Sequence, residues 1–400
     1  MNKRYLMLML CSATVVHAEG FDPAPVKLGF VDFVPSLTVF EEYDSNLYRQ
    51  NKDAEESWIQ IMVLRMKAQA FDGPHEYTAN YRGAAGFFDN TSSDNYIDQS
   101  ASLGGKWDIS TRHRFELQGG YLQDHDRRGT EYFQGDQAQQ IDEPARYREE
   151  MLLGRYSYGA AGARGRLNFE AKSINRTYLN FREFTRQSDF SNVSGTGTLL
   201  WRLVGELQGL VETTYGSVNY KTDPQKQDGI NDVRDSNYSA WLTGVTWDVA
   251  GKTTGTVKAG YATKDFADRD RKDFGGSSWS GELTWNPVNY SRFSLSTGRR
   301  AEESHGRGDY KDVNDWGVAW THHWTNTIES NLHYRESDET YKADPERRDD
   351  KIHRYGIGVD YVMRRWLVFG MFYTREQRDS NIAQFDYPRN FTGLTLRTSF

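Results

Sequence analysis

Cysteine is almost missing from this sequence: of 400 residues, only Cys11 is one. Beyond position 11, disulfides, thiol catalysis and cysteine-ligated metals have no residue to use. Apolar residues are sparse as well, at 37%. Past the amino terminus no run reaches the roughly 18–20 apolar residues that a membrane-crossing helix needs. Basic charge shows no excess, with 49 Lys and Arg against 56 Asp and Glu. This balance argues against a general nucleic-acid binder.

Aromatic residues are plentiful: 24 Tyr, 21 Phe and 11 Trp. Many aromatics without long apolar runs fit two classes. One is a secreted all-β domain. The other is a transmembrane β-barrel, whose strands need only every second residue apolar and whose interfaces carry aromatic girdles.

The start of the chain reads as an export signal. Asn2-Lys3-Arg4 is basic, "YLMLMLCSATVV" is a short apolar core, and "VHA" places small residues before a cleavage point after Ala18. Residues 1–18 are therefore expected to be a signal peptide that takes Cys11 with it. "LMLC" lacks the small residues that precede a lipidated cysteine. Residues 19–400 are then expected to form a single barrel domain with a short N-terminal periplasmic segment.

Period two dominates this remainder. Tyr77, Ala79, Tyr81, Gly83, Ala85 and Phe87 share one face, and Glu76, Thr78, Asn80 and Arg82 the other. Phe115, Leu117 and Tyr121 oppose Arg114 and Glu116. Leu167, Phe169 and Ala171 oppose Arg166, Glu170 and Lys172. Val211 and Tyr215 alternate with Glu206 and Glu212, Val257 and Tyr261 with Lys258, and Trp279, Leu283 and Trp285 with Glu282. Phe293 and Leu295 alternate with Arg292, Ile328, Leu332 and Tyr334 with Glu329 and Arg335, and Tyr355, Ile357, Val359 and Tyr361 with Arg354 and Asp360. Segments 58–71 and 366–373 are apolar on both faces, so their outward side stays open.

Short turns alternate with longer charged connections. "DGP" (72–74), "DISTR" (108–112) and "WRLVG" (201–205) belong to the first kind; residues 124–146, 299–312, 336–350 and 375–388 belong to the second. This is the pattern of an up-and-down antiparallel barrel with a periplasmic and an external rim. Counting segments gives about 18 strands, with 16 as the alternative. A sheet in lipid must close on itself, because unpaired backbone groups find no water there. So many ionisable groups on the second face require water, hence a hydrated lumen. The expected lumen-lining residues are Arg82, Arg114, Glu116, Arg166, Glu170, Lys172, Glu206, Glu212, Lys258, Glu282, Arg292, Glu329, Arg335, Arg354 and Asp360. Their mixed signs give no strong preference for either ion. A water-soluble all-β fold would alternate too, but with its polar face outside.

"PSLTVFEEYDSNLYR" (35–49) contains Tyr43-Asp44-Ser45-Asn46-Leu47-Tyr48. It resembles the opening of the β-barrel porin type 2 family, found in exopolysaccharide and capsule gene clusters. The resemblance implies a Gram-negative outer-membrane barrel that passes polysaccharide outward, with periplasmic polysaccharide export proteins as partners. Tyr43, Asp44, Ser45 and Asn46 are read first as turn-shaping residues and second as cargo contacts. The other readings are a general diffusion porin and a barrel enzyme. The histidines, among them His75, His113, His125 and His322, are scattered without a partner constellation, so no enzyme is expected. No cofactor or metal is expected either. Asp223, Asp228, Asp232 and Asp235 lack an ordered ligand spacing, and such loops are expected to face solvent or lipopolysaccharide.

The last residues, "LTLRTSF", read as the closing strand. Leu394, Leu396, Thr398 and Phe400 are expected to face lipid, with Arg397 turned inward. The terminal Phe400 resembles the signal read by the outer-membrane assembly machinery.

Overall fold

A computed structural model describes residues 23–160, 162–221, 234–304 and 308–399. The expected signal peptide (1–18), Phe400, and Asp223, Asp228 and Asp232 lie outside the described residues.

A short strand β1 (Val26–Leu28) folds back on β2 (Val31–Asp44). Then follow β3 (Ser57–Asp72), β4 (His75–Phe88), β5 (Tyr96–Asp108), β6 (His113–Asp126), β7 (Ala145–Tyr158), β8 (Gly165–Tyr178) and β9 (Phe190–Val204). β10 (Leu207–Tyr220), β11 (Ser236–Val249), β12 (Thr253–Phe266), β13 (Phe274–Val288) and β14 (Ser291–Glu303) continue the ring. β15 (Tyr310–His323), β16 (Ile328–Lys342), β17 (Asp349–Arg364), β18 (Leu367–Ser380) and β19 (Tyr387–Ser399) complete it. Each of these strands from β2 onward pairs antiparallel with the next. β19 then pairs with β2, from Phe391 opposite Asp44 to Ser399 opposite Ser36. The result is a closed barrel of 18 strands with β1 outside the ring. Among the described residues no helix is long and apolar enough to cross a membrane; the crossing elements are strands.

The short and long connections fall on opposite rims. Gly205 shows why the short ones can be so short: its φ of +55° lets β9 reverse into β10 within two residues. On the outer face Leu103 and Trp241 are 70% and 64% exposed. The two ambiguous segments are also decided. Trp58, Met62, Leu64 and Met66 of β3 point outward, as do Phe369, Met371 and Tyr373 of β18. Ile59, Val63 and Val368 are buried on the inner side. Leu394 and Leu396 are exposed on the outer face, and Arg397 is buried on the inner one.

The strands are longer than the alternation alone indicates. Residues 299–303 and 310–312, read above as loop, belong to β14 and β15; residues 336–342 and 375–380 extend β16 and β18. A barrel needs only about 9–11 residues per strand to cross lipid. Beyond lipid the outer face can carry charge, and there it does: Arg299 pairs with Asp312 at 2.8 Å and Lys351 with Glu336 at 2.9 Å. The ladder therefore continues through segments whose composition resembles solvated loop.

Leu103 lies midway along β5 on the outer face. Leu103→Arg is expected to destabilise the barrel by about 2–4 kcal/mol, read as a lower urea midpoint for unfolding from lipid vesicles. An unchanged midpoint would mean that this face does not meet lipid.

Candidate functional site

On the inner wall, charges from neighbouring strands come together. Arg155 of β7 stands between Glu116 of β6 (3.3 Å) and Glu170 of β8 (2.7 Å). Lys258 pairs with Glu212. Arg335 reaches Asp315 at 2.5 Å, and Arg300 reaches the same carboxylate at 2.6 Å. Arg354 lies 3.7 Å from Glu376, and His323 lies 3.3 Å from Glu329. Asp360 sits in the field of Arg397. Arg166 donates to Gln208 (3.0 Å), Arg292 to Asn286 (3.3 Å), and Arg114 lies 3.6 Å from Asp108. Arg82, Lys172 and Glu282 share this face by strand parity. Glu206 does not. It occupies the exposed two-residue turn between β9 and β10, because the alternation on either side runs straight across that reversal.

The family-like motif lies at the seam where the barrel closes. The Asp44 carboxylate receives a fork from Arg389 of the last strand, with Nε at 2.8 Å. The two side chains are 0% and 1% exposed. Asp44 also accepts from the Asn46 backbone (3.1 Å). Ser45 donates its N–H to the Asn390 carbonyl (3.0 Å), and its hydroxyl accepts from the Asn390 N–H (2.8 Å). The Asn46 side chain ties the loop to itself at Gln50 (2.8 and 2.9 Å) and to the Pro388 carbonyl (3.1 Å). Tyr43 points outward and donates to Glu56.

From this clasp the chain turns into the barrel. Leu47 and Tyr48 are buried against Ile59, Phe88 and Ala138. Ala138 belongs to the β6–β7 connection (127–144), which folds inward too. Phe133 packs against Ile141, Ala145, Tyr147 and Tyr178, with Phe181 and Phe184 of the β8–β9 connection beside it. Gly129 passes the Tyr48 backbone so closely that a Cβ there would sit 2.0 Å from the carbonyl oxygen. The Tyr48 hydroxyl donates to Asp94 at 2.7 Å. Burial, and then this hydrogen bond to a carboxylate, hold it above the ordinary tyrosine pKa, so it stays a neutral donor.

On the far side, the Gln134 side-chain oxygen Oε1 accepts from Arg348 (2.9 Å) and Arg378 (3.0 Å), which stand on the β16–β17 connection and on β18. Arg348 also forks Asp350 (2.6 and 3.0 Å) and lies over Phe385, 3.6 Å from the ring centre. A strap thus crosses the external rim. It also explains the apolar inner face of β3, which forms the strap's seat.

Asp98, Asp124 and His125 form a buried trio whose ligand atoms lie within 4.8 Å of one another. The imidazole is engaged by Asp98 at 2.9 Å, with Asp124 at 3.7 Å. His113 and His353 meet tyrosine hydroxyls, at Tyr156 and Tyr334. Arg155, Arg348, Arg378 and Arg389 went unnoticed in the sequence; strand parity with neighbouring inner residues marks Arg155, Arg378 and Arg389, and nothing local marks Arg348, which stands on a connection.

The family model described as "Putative beta-barrel porin 2" matches residues 19–400. No curated protein matches the chain. Among solved structures, a BenF-like porin from Pseudomonas fluorescens is similar at 11% identity, over 93% of this chain and 100% of that one, with a TM-score of 0.51. The outer membrane protein opdK from Pseudomonas aeruginosa is similar at 12% identity, over 92% and 99%, with a TM-score of 0.50. These likenesses show the barrel fold.

Proposed function

We propose, from the premise that this chain belongs to the β-barrel porin 2 family, that it is an outer-membrane pore for outward passage of an exopolysaccharide or capsular polysaccharide. That it is an outer-membrane porin barrel follows from the family; the cargo and its direction are the proposal. One observation carries it: the external rim is crossed by a strap held across the lumen through Gln134. A diffusion porin works standing open. An exporter gains from a mouth that stays shut until a polymer pushes through it. The charged inner wall suits a hydrated polymer that slides by transient polar contacts.

Periplasmic export proteins would meet the short-turn rim, and lipopolysaccharide would meet the charged outer belt around Arg299 and Lys351. Among the described histidines, His113 and His353 meet tyrosine hydroxyls, His125 meets Asp98 and His323 meets Glu329, four separate places rather than one constellation, which favours a channel over an enzyme.

In a strain lacking the gene, secreted polysaccharide is expected to fall to background and to return on complementation. Normal secretion with slower uptake of small solutes would instead establish the diffusion porin.

A further inference from the structure

We propose that the inner wall is a track for an acidic glycan, with carboxylates on the polymer following unpaired cations along the β3–β9 half of the barrel. This deepens the export reading and rests on it for the direction of travel. In the sequence the two signs look balanced, but the structure pairs them unequally.

The inner-face carboxylates of this half are occupied. Glu76 is held by Lys106 (3.0 Å), Glu116 and Glu170 share Arg155, Glu149 is held by Arg176 (2.9 Å), and Asp98 by His125. Asp124 accepts the backbone N–H of His125 (2.8 Å), Asp126 accepts from Tyr178 (2.6 Å), and Asp108 lies by Arg114. Cations remain over. Arg65, Lys67, Arg82, Lys172 and Arg202 face inward by strand parity and have no ion pair among the described residues. Arg166 has only the neutral Gln208.

The placement of these cations is directional. Arg166 stands within electrostatic reach of both Arg114 and Arg202 at the short-turn rim, where β6 and β8 begin and β9 ends. In an outer-membrane barrel that rim is the periplasmic one. Halfway up, Arg65 of β3 stands directly opposite Arg82 of β4. Like charges placed opposite one another cost stability, so this pair is poorly explained by folding alone. It is well suited to a polyanion, because guanidinium groups fork carboxylates. In a water-filled lumen each contact is weak, so a polymer can be drawn in by the entrance cluster and still move on. A neutral glycan would gain nothing from either group.

The test uses the purified full-length protein, with oligogalacturonate and a neutral maltodextrin of equal length as probes in titration calorimetry. Oligogalacturonate is expected to bind, more weakly as salt rises, and maltodextrin is not. Arg65→Gln/Arg82→Gln and Arg166→Gln/Arg202→Gln should each weaken binding about tenfold. Lys172→Gln, a single change at a side chain without partners, serves where a double variant fails to fold. Equal affinity for the two probes, or unchanged affinity in every folded variant, overturns the track. Composition analysis of the secreted polymer separates this failure from that of the export reading. A neutral polymer lost on gene deletion leaves export standing and removes the acidic cargo. Salt-sensitive oligogalacturonate binding with normal secretion in the deletion strain keeps the track and removes export.

Discussion

Asp44→Ala is expected to destabilise the barrel by about 3–5 kcal/mol, the usual cost of leaving a buried partner charge uncompensated. Arg389 is that partner. It is 1% exposed, its Nε lies 2.8 Å from Asp44, and its guanidinium stacks 3.9 Å from the centre of the Phe391 ring. At 1% exposure it has little water to replace the lost carboxylate. The position matters as much as the pair. The closing ladder spans residues 391–399 against 36–44, whereas β2 meets β3 from residue 31 to residue 44. The seam is the shorter joint, and the clasp sits at its external end. Failure there should also release Ser45 and Asn46, and with them the root of the strap. Heat-modifiable migration on denaturing gels and urea unfolding in vesicles would both report the loss. Asp44→Ala/Arg389→Ala should be milder than Asp44→Ala alone, since the stranded charge goes with its partner. Wild-type stability in Asp44→Ala would show that the clasp does not hold the seam.

The clasp also marks how far the sequence could be read. The period of two shows which residues of β4, β6, β8 and β16 face in or out, because lipid tolerates only one kind of side chain and the lumen another. It therefore yields the closed barrel and the 18 strands. It fails where a third environment intervenes. The inner face of β3 is neither polar nor lipid-facing: Ile59 packs under Leu47 and Tyr48 of an inward loop. Above the lipid both faces of β14 and β16 meet water, so their ends look like loop. Pairing is invisible for a different reason. Arg155, Glu116 and Glu170 lie on three strands, and only register makes them neighbours. The strap left a trace in Leu47, Phe133, Ile141 and Phe385. These are large apolar residues in charged connections, where a solvated loop has no use for them.

That strap is the basis of the second large expected effect. Gln134→Ala removes the acceptor for two guanidinium groups at 2.9 and 3.0 Å. Hydrogen bonds to charged groups are worth about 1.5–3 kcal/mol each. Arg348 keeps its fork to Asp350, and Arg378 stays 3.7 Å from the same carboxylate. Neither arginine is left without a counter-charge, so the barrel itself should keep its stability. Only the crossing is weakened. In planar bilayers the wild-type pore is expected to sit mostly in a low-conductance state, and Gln134→Ala should raise the open probability at least about tenfold, as a shift of that size in free energy requires. Phe133→Ala would loosen the same strap from its apolar side, against Tyr147 and Tyr178. It should have the same effect on conductance, although its own core loss also lowers stability. The comparison separates gating from general weakening: Leu103→Arg, far from the strap, lowers stability without opening the pore. Equal open probability in wild type and Gln134→Ala would mean that the strap is no gate, and the observation favouring export over free diffusion would be lost with it.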